Sequence, residues 1–190
     1  MGGMRCLLAA LGCVAAPAIV GAAPAPRVLE GSVVYVVDGD TVHVRINNRV
    51  EKVRYLGINA PEVPHPHGGS PTRRPHAHGS FPRTAAAGDA AKRINLDLAG
   101  GQHVRLELDR QHRDEHGRLL AYVWAGETML NAEMVRRGYA EVLSVPPDLR
   151  YRALFTKLQD EARKAGRGLW AESSPVKRAP PAAPRPRSPH

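Results

Sequence analysis

The stretch from residue 28 to residue 56 limits the possible folds more than any other part of the chain. It contains three runs in which apolar and polar residues alternate, over residues 28–37, 41–46 and 50–56. This period of two predicts strands, because successive side chains of a strand point to opposite faces of a sheet. Asp38-Gly39-Asp40 and Asn47-Asn48 separate the runs and are typical of tight turns. The sequence therefore predicts an antiparallel meander of three strands.

The rest of the body mixes helix and strand patterns. Strands are predicted over residues 104–108 and 119–124, and helices over residues 84–98, 131–137 and from Asp148 to about Ala165. The apolar faces expected for the first and last helices are Ala87, Ala91, Ile94 and Leu98, and Leu154, Leu158, Glu161 and Ala165, respectively. Five strands with a helix between the third and fourth predict an α+β fold: a five-stranded Greek-key β-barrel of the OB type with about three helices.

The two ends of the chain differ from the body in composition. Residues 1–22 have a basic start, an apolar stretch and small residues near Ala22, as in a secretory signal peptide. Both cysteines, Cys6 and Cys13, lie in this segment, so an exported form would contain no disulfide. Residues 27–172 form the predicted domain, and residues 173–190 are a Pro/Arg-rich tail predicted to be disordered. We therefore expect a periplasmic or secreted protein without a membrane span in its mature form, and a monomer.

The charge of the chain suits a polyanionic partner. The formal net charge is +9, and the four basic residues after Glu172 leave a body that is still moderately basic. Charge alone is weak evidence, since an arginine-rich proteome gives the same balance.

Two clusters of charged residues, about sixty positions apart, carry the chemistry. Asp38 and Asp40 lie in the first turn, Arg54 and Glu62 flank Asn59-Ala60, and Arg118 follows a second acidic turn. Each element alone is an ordinary hairpin or loop. Together they supply oxygen ligands for a hard cation, a carboxylate that could activate water and two arginines for a phosphate, which are the groups that phosphodiester hydrolysis needs.

The order of these segments resembles the staphylococcal nuclease (thermonuclease) family. The segments that carry the resemblance are residues 37–41, 53–62, 114–122, 131–138 and 166–170, and it extends over about residues 28–172. The resemblance implies an OB barrel and a calcium-dependent nuclease that cleaves DNA and RNA to 3′-phosphate products. The residues alone indicate only a hard cation with oxygen ligands.

The resemblance also implies roles for individual residues. It assigns Asp40, Asn59 and the backbone carbonyl of Ala60 to the Ca²⁺ ion, with Asp38 in the outer shell. It assigns Glu62 to the attacking water, and Arg54 and Arg118 to the phosphate and its transition state.

The sequence departs from the family pattern at several of these positions. Asn59 stands where the family usually has a second aspartate ligand, so one negative charge is lost and calcium affinity is expected to fall. Glu115 and His116 replace a lysine and a tyrosine near the nucleotide, and residues 144–147 lack the stacking tyrosines. Weaker or different substrate contacts are expected.

Two alternative functions are consistent with the same sequence. The loss of charge at Asn59 fits an OB-fold module that binds single-stranded nucleic acid without cutting it. The pairs His65-Pro66-His67 and His76-Ala77-His78 could bind a transition metal, but no cysteine or carboxylate cluster accompanies them, so a polar exported loop is the favoured interpretation.

Overall fold

A computed structural model of the chain describes residues 27–63, 81, 84–148 and 150–173. The predicted signal peptide, both His-x-His pairs and residues 174–190 of the predicted tail lie outside this part of the chain. Of the predicted tail, Ser173 is described, and it ends a short helix.

The described residues form eight strands and four helices, which include the five predicted strands and the three predicted helices in the predicted order; the other elements were not predicted. The strands are β1 (Val28–Val36), β2 (Thr41–Ile46), β3 (Arg49–Tyr55), β4 (Ile58–Asn59), β5 (His103–Glu107), β6 (Leu119–Ala125), β7 (Thr128–Met129) and β8 (Glu141–Val142). The helices are α1 (Ala85–Ala99), α2 (Leu130–Arg136), α3 (Arg152–Lys164) and α4 (Trp170–Ser173).

Five of the strands close into a barrel. Antiparallel pairing gives the order β3-β2-β1-β5-β6, and β3 then pairs in parallel with β6, which joins the two edges. Closure satisfies the backbone groups that an open sheet edge would expose. The three remaining strands are two residues long; β7 pairs antiparallel with β6, and β4 pairs antiparallel with β8. The predicted five-stranded barrel of the OB type, with its α+β class, is confirmed.

The period-two pattern of the sequence determines which side chains fill the barrel. Val42 and Val44 of β2 and Val53 and Tyr55 of β3 are buried, while the residues between them face outward. Burying these apolar side chains is the main driving force for closure. The outward residues include Arg54, which leaves the charged group at the barrel surface.

Helix α1 begins where the sequence predicts, but its buried face is rotated from the predicted one. Thr84 caps the helix and accepts a hydrogen bond from the amide of Ala87 at 3.2 Å. Ile94 and Leu98, predicted in the core, are only half-buried. The buried residues are Ala87, Gly88, Ala91, Asn95 and Ala99. Small residues predominate because this face packs directly against backbone.

The predicted face of the last helix is wrong. Leu154 and Glu161 are exposed, and the buried residues of α3 are Phe155, Leu158 and Ala162. The aromatic ring of Phe155 has more apolar surface to bury than Leu154, and it packs at 6.2 Å, centroid to centroid, from the buried ring of Tyr122. Helix α3 also begins at Arg152, later than the predicted start after Asp148.

Asn131, the second residue of α2, joins the helix to the barrel. Its side-chain oxygen accepts the amide of Val123 at 2.9 Å, and its amide nitrogen donates to the carbonyl of Leu56 at 2.9 Å. Both bonds are buried, so they fix the end of β3 from which the chain leaves for the candidate site. No helix in the described ranges has the length and apolar character that crossing a membrane requires.

Candidate active site

The turn between β1 and β2 presents two carboxylates at one end of the barrel. The side chain of Asp38 accepts a hydrogen bond from the amide of Asp40 at 3.0 Å, which is an Asx-type turn. Burial raises the pKa of Asp38, against the charges of Arg54 and Arg118, which lower it. The backbone of the turn is therefore hydrogen-bonded to one of its own acidic side chains.

Asp40 lies at the centre of the site and is 5% exposed. One carboxylate oxygen accepts the amide of Ala60 at 2.6 Å, and the other accepts the hydroxyl of Thr41 at 3.1 Å. The second oxygen also forms an ion pair with Arg54. A buried carboxylate is stable here because hydrogen-bond donors and a cation surround it.

Arg54 connects the two predicted ligand segments. Its guanidinium pairs with the carboxylate of Asp40, and its second terminal nitrogen donates to the side-chain oxygen of Asn59 at 3.0 Å. The pKa of Arg54 is lowered to about 10, mainly by burial and in part by the charge of Arg118. Asp38, Glu62 and Asp114 raise it. Arg54 thus remains a cation at neutral pH, and oxygens of Asp40 and Asn59 converge on it.

Arg118 is held by the turn that precedes β6. Asp114 accepts the backbone amides of His116 and Arg118 at 3.0 and 2.9 Å with one oxygen, and the Nε of Arg118 at 2.7 Å with the other. Burial opposes ionisation of Asp114, but the hydrogen bonds from Arg118 outweigh it, so the pKa of Asp114 is lowered. Because Nε is engaged, the orientation of the guanidinium is fixed.

Glu62 is exposed at the edge of the same site, three residues beyond Asn59. Its charge raises the pKa of Arg54, which shows that the two groups are close enough to interact. The structure therefore brings together Asp40, Arg54, Asn59, Ala60, Glu62 and Arg118, the six residues predicted as the site.

Helix α1 supports both loops of the site through contacts that require very small residues. A Cβ on Gly39 would lie 2.6 Å from the Cβ of Ala60 and 2.8 Å from that of Ala91. A Cβ on Gly88 would lie 2.3 Å from the carbonyl oxygen of Glu62. Real Cβ atoms do not come this close, so glycine at these two positions lets the turn, the Glu62 loop and α1 pack together.

Asn95 is a residue of the site region that the sequence analysis missed. It is fully buried on α1, donates to the carbonyl of Asp38 at 2.8 Å and accepts the hydroxyl of Tyr55 at 3.0 Å. Burial raises the pKa of Tyr55, so this hydroxyl stays protonated and donates. One signal was available: Asn95 lies four residues after Ala91, on the face that the sequence predicted to be buried. A polar residue there indicates a buried hydrogen bond.

The positions at which the sequence departs from the family's nucleotide-contacting residues lie on exposed turns. Glu115 and His116 are exposed at the tip of the turn before β6, and the side chains are 3.5 Å apart. Leu143 and Val145 are exposed near the cis peptide bond between Pro146 and Pro147. No aromatic side chain occupies residues 144–147, as the sequence shows.

Among the described residues, no group of three or more His, Cys, Asp and Glu side chains is close enough to hold a metal ion. His43 lies on β2 and His103 on β5, as expected for strand residues. The oxygens around Arg54, only one of which belongs to a carboxylate, therefore remain the candidate cation site.

This small closed barrel presents at one end a carboxylate, an amide oxygen and two arginines, which are groups suited to a cation and a phosphate. The comparisons with known proteins agree. Residues 52–172 match the protein family described as "Staphylococcal nuclease homologue".

Relatives named as nucleases align over most of the chain. The chain is 35% identical over 135 residues to the thermonuclease of Staphylococcus intermedius, which covers 71% of this chain and 72% of that protein. It is 32% identical over 139 residues to the thermonuclease of Staphylococcus hyicus, with 73% and 74% covered. It is 31% identical over 142 residues to endonuclease YncB of Bacillus subtilis, with 74% and 61% covered. The chain belongs to the staphylococcal nuclease family, and the prediction of an enzyme of the nuclease class is confirmed.

Proposed function

We propose that the chain is an exported, calcium-dependent nuclease that hydrolyses phosphodiester bonds of DNA and RNA and leaves 3′-phosphate and 5′-hydroxyl ends. The observation that carries the proposal is the convergence of Asp40 and Asn59 oxygens on the guanidinium of Arg54. The positively charged guanidinium of Arg54 lies between these oxygens, so the oxygens are placed to bind positive charge. Glu62 and Arg118 interact electrostatically with the same guanidinium.

The residues present fit a calcium ion. Ca²⁺ prefers carboxylate, amide and backbone carbonyl oxygens, and Asp40, Asn59 and Ala60 supply one of each. When bound, the ion would polarise the phosphoryl oxygen and offset the charge that develops in the transition state. Since Asn59 is uncharged, the site carries one negative charge less than a pair of aspartates would, and we expect modest affinity.

The two arginines are suited to the phosphate. Arg54 is preorganised by Asp40 and Asn59, and Arg118 by Asp114. In a site with little water, preorganised guanidinium groups stabilise the additional negative charge of the transition state more than the ground state. If the Arg54 guanidinium moved from these oxygens to the phosphate, the oxygens would be free to bind the calcium ion.

Glu62 is suited to act as the general base. It is exposed, follows the Asn59-Ala60 segment directly and carries a carboxylate. In the proposed reaction it accepts a proton from water as the water oxygen bonds to phosphorus. The bond from phosphorus to the 5′ oxygen breaks, that oxygen takes up a proton from solvent and leaves as a hydroxyl, and the phosphate stays on the 3′ oxygen.

The activity is tested with the purified chain, single-stranded DNA and single-stranded RNA, in calcium and in chelator. We expect cleavage of both polymers in calcium only, with 3′-phosphate ends found by mass spectrometry. Binding of the polymers without cleavage in calcium would instead support the alternative, a nucleic-acid-binding OB module, which the neutral Asn59 favours. Undiminished cleavage in chelator would contradict the calcium requirement.

Export is tested separately, in cells that express the full chain. We expect the protein in the periplasm or the medium, as a monomer by gel filtration, with an amino terminus close to Ala23. Full-length protein confined to the cytoplasm would contradict the signal peptide.

A further inference from the structure

The outer face of the β1-β2-β3 sheet carries several basic and aromatic side chains beyond Arg54. Thr41 pairs with Arg54, and His43, two residues further along β2, pairs with Lys52. Residues two apart on a strand lie on the same face, so Lys52 and His43 are the next residues on the face that carries Arg54. Each step along the strands is about 7 Å.

Tyr35 extends this second row onto β1. It pairs with His43, and the two rings lie 5.6 Å apart, centroid to centroid, and tilted by 49°. Tyr35 is 55% exposed, which makes it the second most exposed of the large apolar side chains among the described residues. The ammonium of Lys92, on α1, lies 5.5 Å from the centre of the same ring.

The charged residues in the two rows beyond Arg54 are all basic. Beyond the row of Tyr35, His43 and Lys52 lies a row formed by Ser32, Arg45 and Val50. None of these six residues is acidic, and Lys52 and Arg45 are exposed. Burial and the charge of Lys52 lower the pKa of His43, so its ring is neutral at pH 7 and offers an uncharged aromatic surface beside the cations.

We propose that the Tyr35–His43–Lys52 row, with Lys92, is an accessory subsite for single-stranded nucleic acid that holds the polymer beyond the bond being cleaved. This inference rests on the proposed function and extends it. Tyr35 stacks on a base, while Lys52 and Lys92 meet the phosphates on either side of that base.

Physical chemistry favours this occupant over a protein. Single-stranded nucleic acid is bound by aromatic side chains that accept any base and by cations that follow the backbone, and one OB fold covers about 4–16 nucleotides. Lys52 lies on the same strand as Arg54, and Tyr35 lies two strands away, within roughly 12 Å of Arg54 by strand spacing. One extended nucleic-acid strand can therefore reach both Tyr35 and Arg54. The positive charge complements phosphate, and the surface is continuous with the candidate active site.

The subsite predicts that the effect of a mutation depends on substrate length. A dinucleotide occupies only the active site, whereas an oligonucleotide of about 12 nucleotides also reaches Tyr35. For the longer substrate, Tyr35→Ala should raise KM about fivefold or more through the lost stacking, with kcat unchanged. Its kinetics with the dinucleotide should be unchanged, and Tyr35→Phe should behave as the wild type because the ring is retained.

Matched variants separate the subsite from general effects. Val28→Ala removes a similarly exposed side chain at the other end of β1, and Lys157→Gln removes an exposed lysine on α3. Lys52→Gln should weaken binding of the 12-nucleotide strand and reduce the salt dependence of its affinity by about one unit of slope, and Lys157→Gln should do neither.

Affinity is measured by fluorescence anisotropy of a labelled 12-nucleotide strand in chelator with the full chain, so this result does not depend on cleavage. We expect weaker binding by Tyr35→Ala and quenching of the indole in Tyr35→Trp when the strand binds. Equal affinity of Tyr35→Ala and Val28→Ala for the strand would overturn the subsite. If the wild type instead cleaves neither substrate in calcium but Tyr35→Ala still binds more weakly, the proposed nuclease function fails and the subsite stands.

Discussion

Arg54 donates a 3.0 Å hydrogen bond to the side-chain oxygen of Asn59, the position at which the sequence departs from the family pattern. The same guanidinium is paired with the carboxylate of Asp40. A neutral amide at position 59 therefore still faces positive charge, but it attracts a cation less strongly than a carboxylate would.

Replacing Asn59 with aspartate should tighten calcium binding. A second carboxylate adds about 1 kcal/mol or more of attraction at ligand distance even in a watery site, which is at least about fivefold in affinity. A stronger pair with Arg54 offsets part of this gain. Isothermal titration calorimetry of the two forms measures the difference, and Asn48→Asp, in the turn after β2, controls for added charge. Unchanged or weaker affinity would show that Asn59 is not a ligand.

Replacing Glu62 with glutamine should lower kcat by about 10²–10⁴-fold. Glutamine keeps the size and exposure of the side chain but cannot accept the proton of the attacking water. Binding of single-stranded DNA should persist, since Glu62 is not assigned to the phosphate. Single-turnover kinetics and anisotropy separate the two effects. A Glu62→Gln enzyme with full kcat would exclude Glu62 as the base.

Replacing Asp114 with asparagine should lower kcat through Arg118. Asparagine can still accept the backbone amides, but it loses the charge that holds Nε of Arg118. We expect a smaller loss of kcat than in Arg118→Ala, with KM changed less than kcat. The double variant tests the connection: Asp114→Asn should add almost nothing once Arg118 is alanine, and full additivity would show that Asp114 acts independently of Arg118.

The carboxylate of Asp114 also makes folding stability depend on pH. The pKa of Asp114 is below its unfolded value of 3.8, so its stabilisation is complete above that pH and is lost as the pH falls through the folded pKa. Glu51, whose pKa is lowered first by its hydrogen bond from Arg113, contributes with the same sign below 4.5. Asp38, with a raised pKa, has the opposite sign.

We therefore expect denaturant unfolding of Asp114→Asn to show lower stability at pH 7, by about 1–3 kcal/mol. As the pH falls below 3.8, the decline of stability should be shallower than in the wild type. An equally steep decline in both proteins would assign the acid sensitivity to other carboxylates.

Replacing Gly88 with alanine should disturb the candidate active site, although Gly88 is not one of its proposed catalytic or metal-binding residues. In an ordinary helix the change would stabilise by about 1 kcal/mol. Here the new Cβ would meet the carbonyl oxygen of Glu62 at 2.3 Å, so the loop or α1 must move. We expect a loss of about 1–3 kcal/mol of stability and a lower kcat. Thermal melting and kinetics measure both, with the exposed neighbour Asp89→Ala as control; a more stable and fully active Gly88→Ala would contradict the contact.

The sequence by itself determined the local elements of this protein. Alternation placed β1, β2 and β3, because the period of two is a property of each strand alone. Tight-turn residues placed Asp40, and the order of the charged segments indicated the family and the six residues of the candidate site. Each of these signals lies within a short segment of the sequence, so no knowledge of packing is needed to read it.

Only the tertiary structure decided which residues meet across the chain. The parallel pairing of β3 with β6, and the bond from Asn95 to Asp38 across 57 positions, depend on how the whole barrel closes. The buried face of α3 was predicted wrongly because periodicity gives several possible faces, and packing selects among them by the area that Phe155 can bury. The tight approach of Gly88 to Glu62 depends equally on this packing, because a glycine reveals a close contact only when its neighbour is known.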